Sequence, residues 1–315
     1  MIVTLTPNPS VDRTIEVDEL VRGAVLRARS SRVDPGGKGV NVSRALAAHG
    51  IKTRAVLPSG GAEGAQLAAL LEPQGIEIVP VPINGAVRAN VSVVEPDGTV
   101  TKLNEPGPEL GPDEVRLLIA ATRGAAEAGA EWVVCCGSLP RGVPVDFYAT
   151  LLPVLHDAGC RVVVDSSGPA LTAALTHRPD LIKPNREELA EAAGRPIDTV
   201  GDAVSAARSL VRRGAGTVLA SLGADGALLI EDDEAYHAEA HVETPRSAVG
   251  AGDATLAGFL AGGGHGPAAL VSAIAWGAAA TSLPGSRMPT PKDLDISSVR
   301  LHTRVEADRV LKGTA

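Results

Sequence analysis

Val249-Gly250-Ala251-Gly252-Asp253 runs directly into Ala254-Thr255-Leu256-Ala257-Gly258-Phe259-Leu260. It reads as a tight glycine turn opening an apolar helix. Small residues let a ligand approach the backbone closely. The first turn of a helix carries unpaired N–H groups and the positive end of the helix dipole, so it suits an anion. A carboxylate there, Asp253, is favoured by the dipole and could take a proton from a substrate hydroxyl. Taken alone the stretch has a plainer reading, because Asp is a common helix N-cap. The rest of the chain has to decide between the two.

Upstream of it, strand, loop and helix units repeat. Trp132 to Cys136 reads as a buried strand leading into Gly137-Ser138-Leu139-Pro140. A helix is predicted over Val145 to Ala158, and the next strand over Arg161 to Asp165. Leu181-Ile182-Lys183-Pro184-Asn185 reads as a strand whose end starts a helix at Arg186. Thr217 to Ser221 is another strand, broken at Leu222-Gly223-Ala224-Asp225-Gly226. Ala227 to Glu231 and Tyr236 to Val242 read as a terminal antiparallel pair, and Ala268 to Leu283 as a second long helix. This rhythm predicts an α/β fold with a mostly parallel sheet covered on both faces. Ligands in such sheets sit at the carboxyl ends of the strands. Asp165, Asn185, Ser221 and Asp253 would share that edge.

The first third is less regular. Ile2 to Thr6 reads as a strand ending in Pro7-Asn8-Pro9-Ser10. Val11 to Val17 and Leu26 to Val33 alternate like half-exposed strands. A glycine run, Asp34-Pro35-Gly36-Gly37-Lys38-Gly39, then enters a helix ending near His49-Gly50. It is not a P-loop, because Lys38 is followed by Gly39 and not by Ser or Thr. Pro96-Asp97-Gly98 between two alternating runs predicts a hairpin. We expect one domain over residues 1–315, with a small β lid formed by about 11–34 and 87–105.

Composition removes several classes. Aromatic residues make up 2% of the 315, too few for the stacking platforms of single-stranded nucleic-acid binders. A net charge of −8 supplies no general basic field for DNA or RNA. No apolar run reaches the roughly 18 residues of a membrane span. The three cysteines, Cys135, Cys136 and Cys160, show no CxxC spacing. They are expected to be reduced and buried, in a cytoplasmic protein.

Together the motifs resemble the PfkB sugar-kinase family, of ribokinase-like fold. Gly36-Gly37-Lys38-Gly39-Val40-Asn41-Val42 and Val249-Gly250-Ala251-Gly252-Asp253 match its two signatures. Gly137-Ser138-Leu139-Pro140, Val164-Asp165, Lys183-Pro184-Asn185-Arg186-Glu187-Glu188-Leu189 and Ser221-Leu222-Gly223-Ala224-Asp225-Gly226 lie between them in the family's order.

The resemblance implies transfer of the γ-phosphoryl of ATP to a sugar hydroxyl with Mg2+. It implies Asp253 as base, and the N–H groups of Gly250, Ala251 and Gly252 as the anion hole. Asn185 and Glu188 would hold magnesium through water. Lys183, Ser221, Gly223 and Gly226 would belong to the nucleotide site. Asp12, Gly36, Gly37 and Asn41 would meet the sugar. Lys38, Arg88 and Ser138 would bind a phosphate already on it, although Arg88 also reads as a surface arginine lying along apolar neighbours. Asp165 stays open between a site residue and a cap of its own turn. Ala248 and Ala254 depart from the family's usual Thr and Ser.

Thr6 to Asp12, Gly36 to Gly39, Asn104 to Pro108 and Gly137 to Val143 resemble the branch that phosphorylates ketohexose phosphates. Fructose 1-phosphate, giving fructose 1,6-bisphosphate, is the expected substrate. Tagatose 6-phosphate and fructose 6-phosphate are the alternatives. A homodimer joined through the lid is expected. A non-catalytic sugar-phosphate or nucleotide sensor would need the base or the magnesium face to be missing, and both are present. A dehydrogenase reading of Gly60-Gly61-Ala62-Glu63-Gly64 fails on spacing.

Overall fold

The computed structural model describes residues 1–302 and 304–312. The chain opens with β1 (Ile2–Leu5), β2 (Ser10–Glu16), β3 (Ser30–Gly36), α1 (Lys38–Ala48), β4 (Thr53–Ser59), α2 (Gly61–Leu71) and β5 (Glu77–Pro82). There follow β6 (Arg88–Val94), β7 (Val100–Leu103), α3 (Pro112–Glu127), β8 (Trp132–Cys136), α4 (Phe147–Asp157), β9 (Arg161–Asp165) and α5 (Gly168–Leu175). The rest is β10 (Leu181–Ile182), α6 (Arg186–Ala193), α7 (Val200–Arg212), β11 (Thr217–Ser221), β12 (Ala227–Glu231), β13 (Glu234–Ala240), α8 (Ala251–Ala261), α9 (Gly266–Thr281) and β14 (Val299–His302).

A ten-stranded sheet has the order β14-β13-β12-β11-β10-β9-β8-β1-β4-β5. From β11 to β5 every pair is parallel, while β12, β13 and β14 pair antiparallel at one side. The side chains of a strand alternate between faces, and β8 shows it. Val133 and Cys135 enter the apolar cluster beneath α3 to α7. Trp132, Val134 and Cys136 enter the opposite cluster, with α1, α8 and α9. Both faces are therefore covered, as parallel sheets require. All three cysteines are buried free thiols.

With so few aromatics, α8 and α9 pack through small residues. A Cβ added to Gly258 would stand 2.7 Å from Cγ of Trp276 and 2.9 Å from the Ser272 carbonyl.

The four-stranded sheet β3-β2-β6-β7 stands apart. It joins Asp12 to Asp34 across the antiparallel β2–β3 pair and to Asn90 across the parallel β2–β6 pair. The Pro96-Asp97-Gly98 hairpin forms as expected, with Gly98 N–H donating to the Glu95 carbonyl at 3.0 Å.

Three expectations need correction, and one helix lies outside them all. The strand read over Leu26 to Val33 begins only at Ser30, because the exposed residues 18–29 pair too little to form one. The strand read over Leu181 to Asn185 is limited to Leu181–Ile182. The Ala227–Glu231 and Tyr236–Val242 pair is not terminal, since β14 adds to β13. Helix α5 was not anticipated, although Pro169 at its start is a known opening signal.

Gly258→Ala should lower stability by about 1–3 kcal/mol, because the methyl meets backbone and indole with no free space. Thermal unfolding of the variant measures this.

Candidate active site

Asp253 is the third residue of α8, and Gly250 caps that helix with φ +78°. The left-handed φ at Gly250 strains any side chain, and a Cβ there would also push Cε of Met288, 2.7 Å away, aside. The helix start therefore presents bare backbone, with the Asp253 carboxylate buried in its first turn. Burial pushes the Asp253 pKa up to about 6, and the nearby charge of Asp165 adds to the rise. Lys183, a hydrogen bond from Asn41 and Lys38 oppose it. Asn41 Nδ2 donates to Asp253 Oδ2 at 2.9 Å.

The centre of charge is Asp165, at the carboxyl end of β9 and fully buried. Lys38 Nζ donates to its Oδ1 at 2.8 Å. Lys183 Nζ stands 3.1 Å from Oδ2, yet its alignment leaves Oδ2 without a hydrogen bond. Burial pushes the Asp165 carboxyl up, but the charges of Lys183 and Lys38 outweigh it and hold the group below its ordinary value. Lys38 also reaches Glu188 Oε1 at 3.2 Å. Burial alone would lower the Lys38 ammonium, and Asp165 and Glu188 together raise it. Lys183 is buried, and its Nζ lies 3.5 Å from where a Cβ on Gly252 would stand. The glycine turn thus has an ammonium group beside it.

Asn185 and Glu188 form a reciprocal cap on α6. Asn185 Oδ1 accepts from the Glu188 N–H at 2.8 Å, and Glu188 Oε2 accepts from the Asn185 N–H at 2.9 Å. Both roles of this pair are compatible, because Glu188 Oε1 still faces the interior and meets Lys38. Ser221 sits beside Asn185 in a parallel bridge. Gly223 takes φ +62° with nothing within 4 Å of a Cβ. Gly226 has a packing reason of its own, since a side chain there would overlap the Ala238 carbonyl of β13.

On the other side of Asp253 lies the small sheet. Asp12 accepts from Ser10 Oγ at 2.7 Å and from Asn90 Nδ2 at 2.9 Å. A Cβ on Gly36 would overlap the Asp12 carboxylate, and one on Gly37 would stand 2.7 Å from Cγ2 of Thr6. The glycine run therefore lets the backbone close against β2. Arg88 donates to the carbonyls of Glu105 and Asn8, each at 3.1 Å. Burial lowers its pKa. Ser138 accepts from Asn8 Nδ2 at 3.4 Å, and the same amide donates to the Pro106 carbonyl.

The structure brings Lys38, Asn41, Asp165, Lys183, Glu188 and Asp253 into one connected cluster. Arg88 and Ser138 are joined to each other through Asn8, apart from that cluster. Lys38, read as a ligand of the sugar's phosphate, has its ammonium between the carboxylates of Asp165 and Glu188. Asp165, left open between a site residue and a turn cap, bonds Lys38 and lies 3.1 Å from the Lys183 ammonium. Asn8 was not singled out; its setting between two prolines hid it as a turn residue.

Comparison with known proteins fits this geometry. The sequence matches the pfkB family carbohydrate kinases over residues 5–293. The chain belongs to that family. A 1-phosphofructokinase of Rhodobacter capsulatus is 40% identical over 263 residues, 82% of each chain. The ATP-dependent 6-phosphofructokinase isozyme 2 of Mycobacterium tuberculosis is 35% identical, over 83% of this chain and 77% of its own. Phosphofructokinase-2 from Escherichia coli, solved in complex with substrates and products, superposes with a TM-score of 0.85 at 33% identity. That match covers 93% of this chain and 96% of the other. The ribokinase-like fold and a carbohydrate-kinase activity follow from membership. No described helix is long and apolar enough to cross a membrane.

The Asp253 pKa carries a stability consequence. The folded value, about 6, lies above the ordinary carboxylate value of 3.8. The native state therefore holds its proton more tightly, and stability falls as pH rises from 3.8 toward 6. Asp253→Asn should raise stability at pH 8 by about 1–3 kcal/mol. That gain should vanish below pH 4 in thermal unfolding.

Proposed function

We propose that this pfkB-family kinase transfers the γ-phosphoryl group of ATP to fructose 1-phosphate, giving fructose 1,6-bisphosphate. The observation that carries the chemistry is the buried Asp253 carboxylate at a bare helix start, flanked by the Lys183 and Lys38 ammonium groups. As the sugar hydroxyl oxygen bonds to the γ-phosphorus, the bond from that phosphorus to the ADP oxygen breaks. The hydroxyl proton passes to Asp253 Oδ1, the oxygen not bonded to Asn41. A base whose pKa is near 6 is ionised at neutral pH yet basic enough to accept a proton. The N–H groups of Gly250 and Gly252, that of Ala251 once it leaves its 3.3 Å bond to the Ala248 carbonyl, and the Lys183 ammonium receive the developing charge on the phosphoryl oxygens.

The donor set suits magnesium. No group of three His, Cys, Asp or Glu that could hold a metal occurs among the described residues, so an all-protein cage is not on offer. Glu188 and Asp165 instead supply hard oxygens beside the phosphate-accepting turn, and Asp165 Oδ2 is buried without a hydrogen bond. Magnesium keeps several waters and is commonly shared between one or two carboxylates and substrate phosphates. Glu188 and Asn185 would hold it through water, and it would neutralise charge on the phosphate oxygens.

Two features support a phosphorylated ketohexose with its phosphate at position 1. Gly36-Gly37-Lys38-Gly39 has Lys at its third position, and the Rhodobacter relative named above is a 1-phosphofructokinase. Lys38 would exchange one of its carboxylates for that phosphate, and Arg88 and Ser138, joined to each other through Asn8, would be its further partners. Fructose 6-phosphate is the second reading, favoured by the likeness to the Escherichia coli enzyme, another structure of which is named as a complex with fructose-6-phosphate.

The small sheet serves as the lid. Arg32 of β3 already lies against Gly285 in the loop after α9, where a Cβ would overlap its guanidinium. Leu20, Val21, Val25, Val100 and Leu103 are exposed on and beside this sheet. A small sheet with exposed apolar groups is marginal alone, so two copies pair there into a homodimer. The three thiols, free and buried, suit work in the cytoplasm.

Comparing kcat/KM on fructose 1-phosphate, fructose 6-phosphate and tagatose 6-phosphate tests the assignment. The expected order puts fructose 1-phosphate first, and a best rate on either 6-phosphate overturns it. In the same assay Asp253→Asn should bind ATP but lose turnover by at least about a hundredfold; unchanged turnover rejects the base. Light scattering at micromolar concentration should give a dimer, and a monomer there rejects the paired lids.

A further inference from the structure

We infer that Arg44 is a positioning residue, which sets the orientation of the Asn41 amide and through it the state of the Asp253 carboxylate. Arg44 is 7% exposed and lies one helical turn after Asn41 on α1. A buried guanidinium ordinarily takes a carboxylate partner. This one forms no ion pair within 4 Å among the described residues. Its donors go to neutral oxygens instead. Nη1 meets Asn41 Oδ1 at 3.1 Å and the Pro35 carbonyl at 3.2 Å, and Nε meets Gln74 Oε1 at 3.3 Å.

The consequence follows from donor chemistry. Arginine has five N–H donors and no acceptor, whereas an amide has one end of each kind. The atom of Asn41 that faces Arg44 must therefore be Oδ1. The other end, Nδ2, is then turned to Asp253 and donates to its Oδ2 at 2.9 Å. Without Arg44 the amide is free to rotate by half a turn. Its oxygen would then face the carboxylate, which favours the protonated acid over the anion. Arg44 thus keeps Asp253 in the form that accepts a proton, without touching it. The shared bond to Pro35 also holds the glycine turn at Gly36 and Gly37 in register with Asn41, so one guanidinium fixes both the sugar-facing backbone and the base.

The charged groups around this chain are known. Asp165, Lys183 and Lys38 act on Asp253. Asp34, Asp12, Arg32 and Asp253 act on Arg44. Of these only Asp253 bonds the Asn41 amide, whose side-chain partners among the described residues are Arg44 and Asp253. Displacing Arg44 should therefore reach Asp253 mainly through that amide.

The inference rests on the proposed role of Asp253, and the test separates the two. Arg44→Gln, Arg44→Lys, Asn41→Ala and the double variant Arg44→Gln/Asn41→Ala are compared with the parent. The readouts are kcat/KM for the best of the three sugar phosphates from pH 5 to 9, and KM for ATP. Arg44→Gln should lower kcat/KM by about tenfold or more, the scale of one hydrogen bond to a charged group. Its acid limb should move to higher pH by about half a unit or more. KM for ATP should stay close to the parent value. Arg44→Lys, which keeps a donor of similar reach, should restore most of both. In the Asn41→Ala background Arg44→Gln should shift the acid limb no further, since the path runs through that amide. An unmoved acid limb in Arg44→Gln, or a further shift in the double variant, overturns the inference. Carboxyl 13C NMR of the Asp253 titration reads the same coupling whether or not Asp253 is the base. If Arg44→Gln does not fold, Arg44→Lys and Asn41→Ala decide alone: their acid limbs must differ, and equal ones reject the path.

Discussion

Two ammonium groups closing on one buried carboxylate, Lys38 and Lys183 on Asp165, constrain everything around them. Taking such charges out of water is costly unless each is paired. Asp165 is fully buried and Lys183 nearly so, so neither can be removed without leaving the other exposed to a low-dielectric interior. This balance holds the ends of β9 and β10 to the start of α1. It also leaves one more carboxylate, Asp253, close to a negative neighbour. Burial first, and that neighbour second, raise the Asp253 pKa, while the two ammonium groups hold that of Asp165 down. The site keeps one acid firmly ionised and brings the other toward neutrality, which is the separation that acid–base chemistry needs.

The sheet supplies the convergence. Parallel strands send all their carboxyl ends to one edge, and the residues on that edge come from widely separated parts of the chain. Asp165 closes β9, Asn185 and Glu188 follow β10, and Ser221 closes β11. Asn41 reaches the same point from α1 on the face that α8 covers, and its contact with Asp253 spans 212 positions in sequence. The glycines on both sides matter for reach rather than for flexibility. Gly36 and Gly37 let β3 and α1 close on Asp12 and Thr6, and Gly250 lets α8 begin against Met288.

Much of this was legible in the residues. The alternation of short apolar runs with helical segments announced a covered parallel sheet, and Pro96-Asp97-Gly98 announced its hairpin. The two glycine signatures placed Asp253 and Asn41 at a site. Less was legible where local pattern and long-range pairing part company. Leu26 to Val33 alternates like a strand, yet its first four residues lie exposed outside one. Strand β14 is short, half-exposed and unremarkable in sequence, and only pairing with β13 makes it a strand.

What the sequence determined by itself is therefore the fold class, the order of the motifs and the chemical kind of each site residue. Those depend on backbone preferences and on hydrophobic spacing, which act over a few residues at a time. The tertiary structure alone decided the partners. Lys38 reads as a phosphate ligand in its glycine run, and it is held by two carboxylates that lie 127 and 150 positions away. Arg44 carries no motif signal, and it is buried against the Asn41 amide that bonds Asp253. Charge pairing acts through space, and nothing in the local pattern records which distant residue will come within 3 Å.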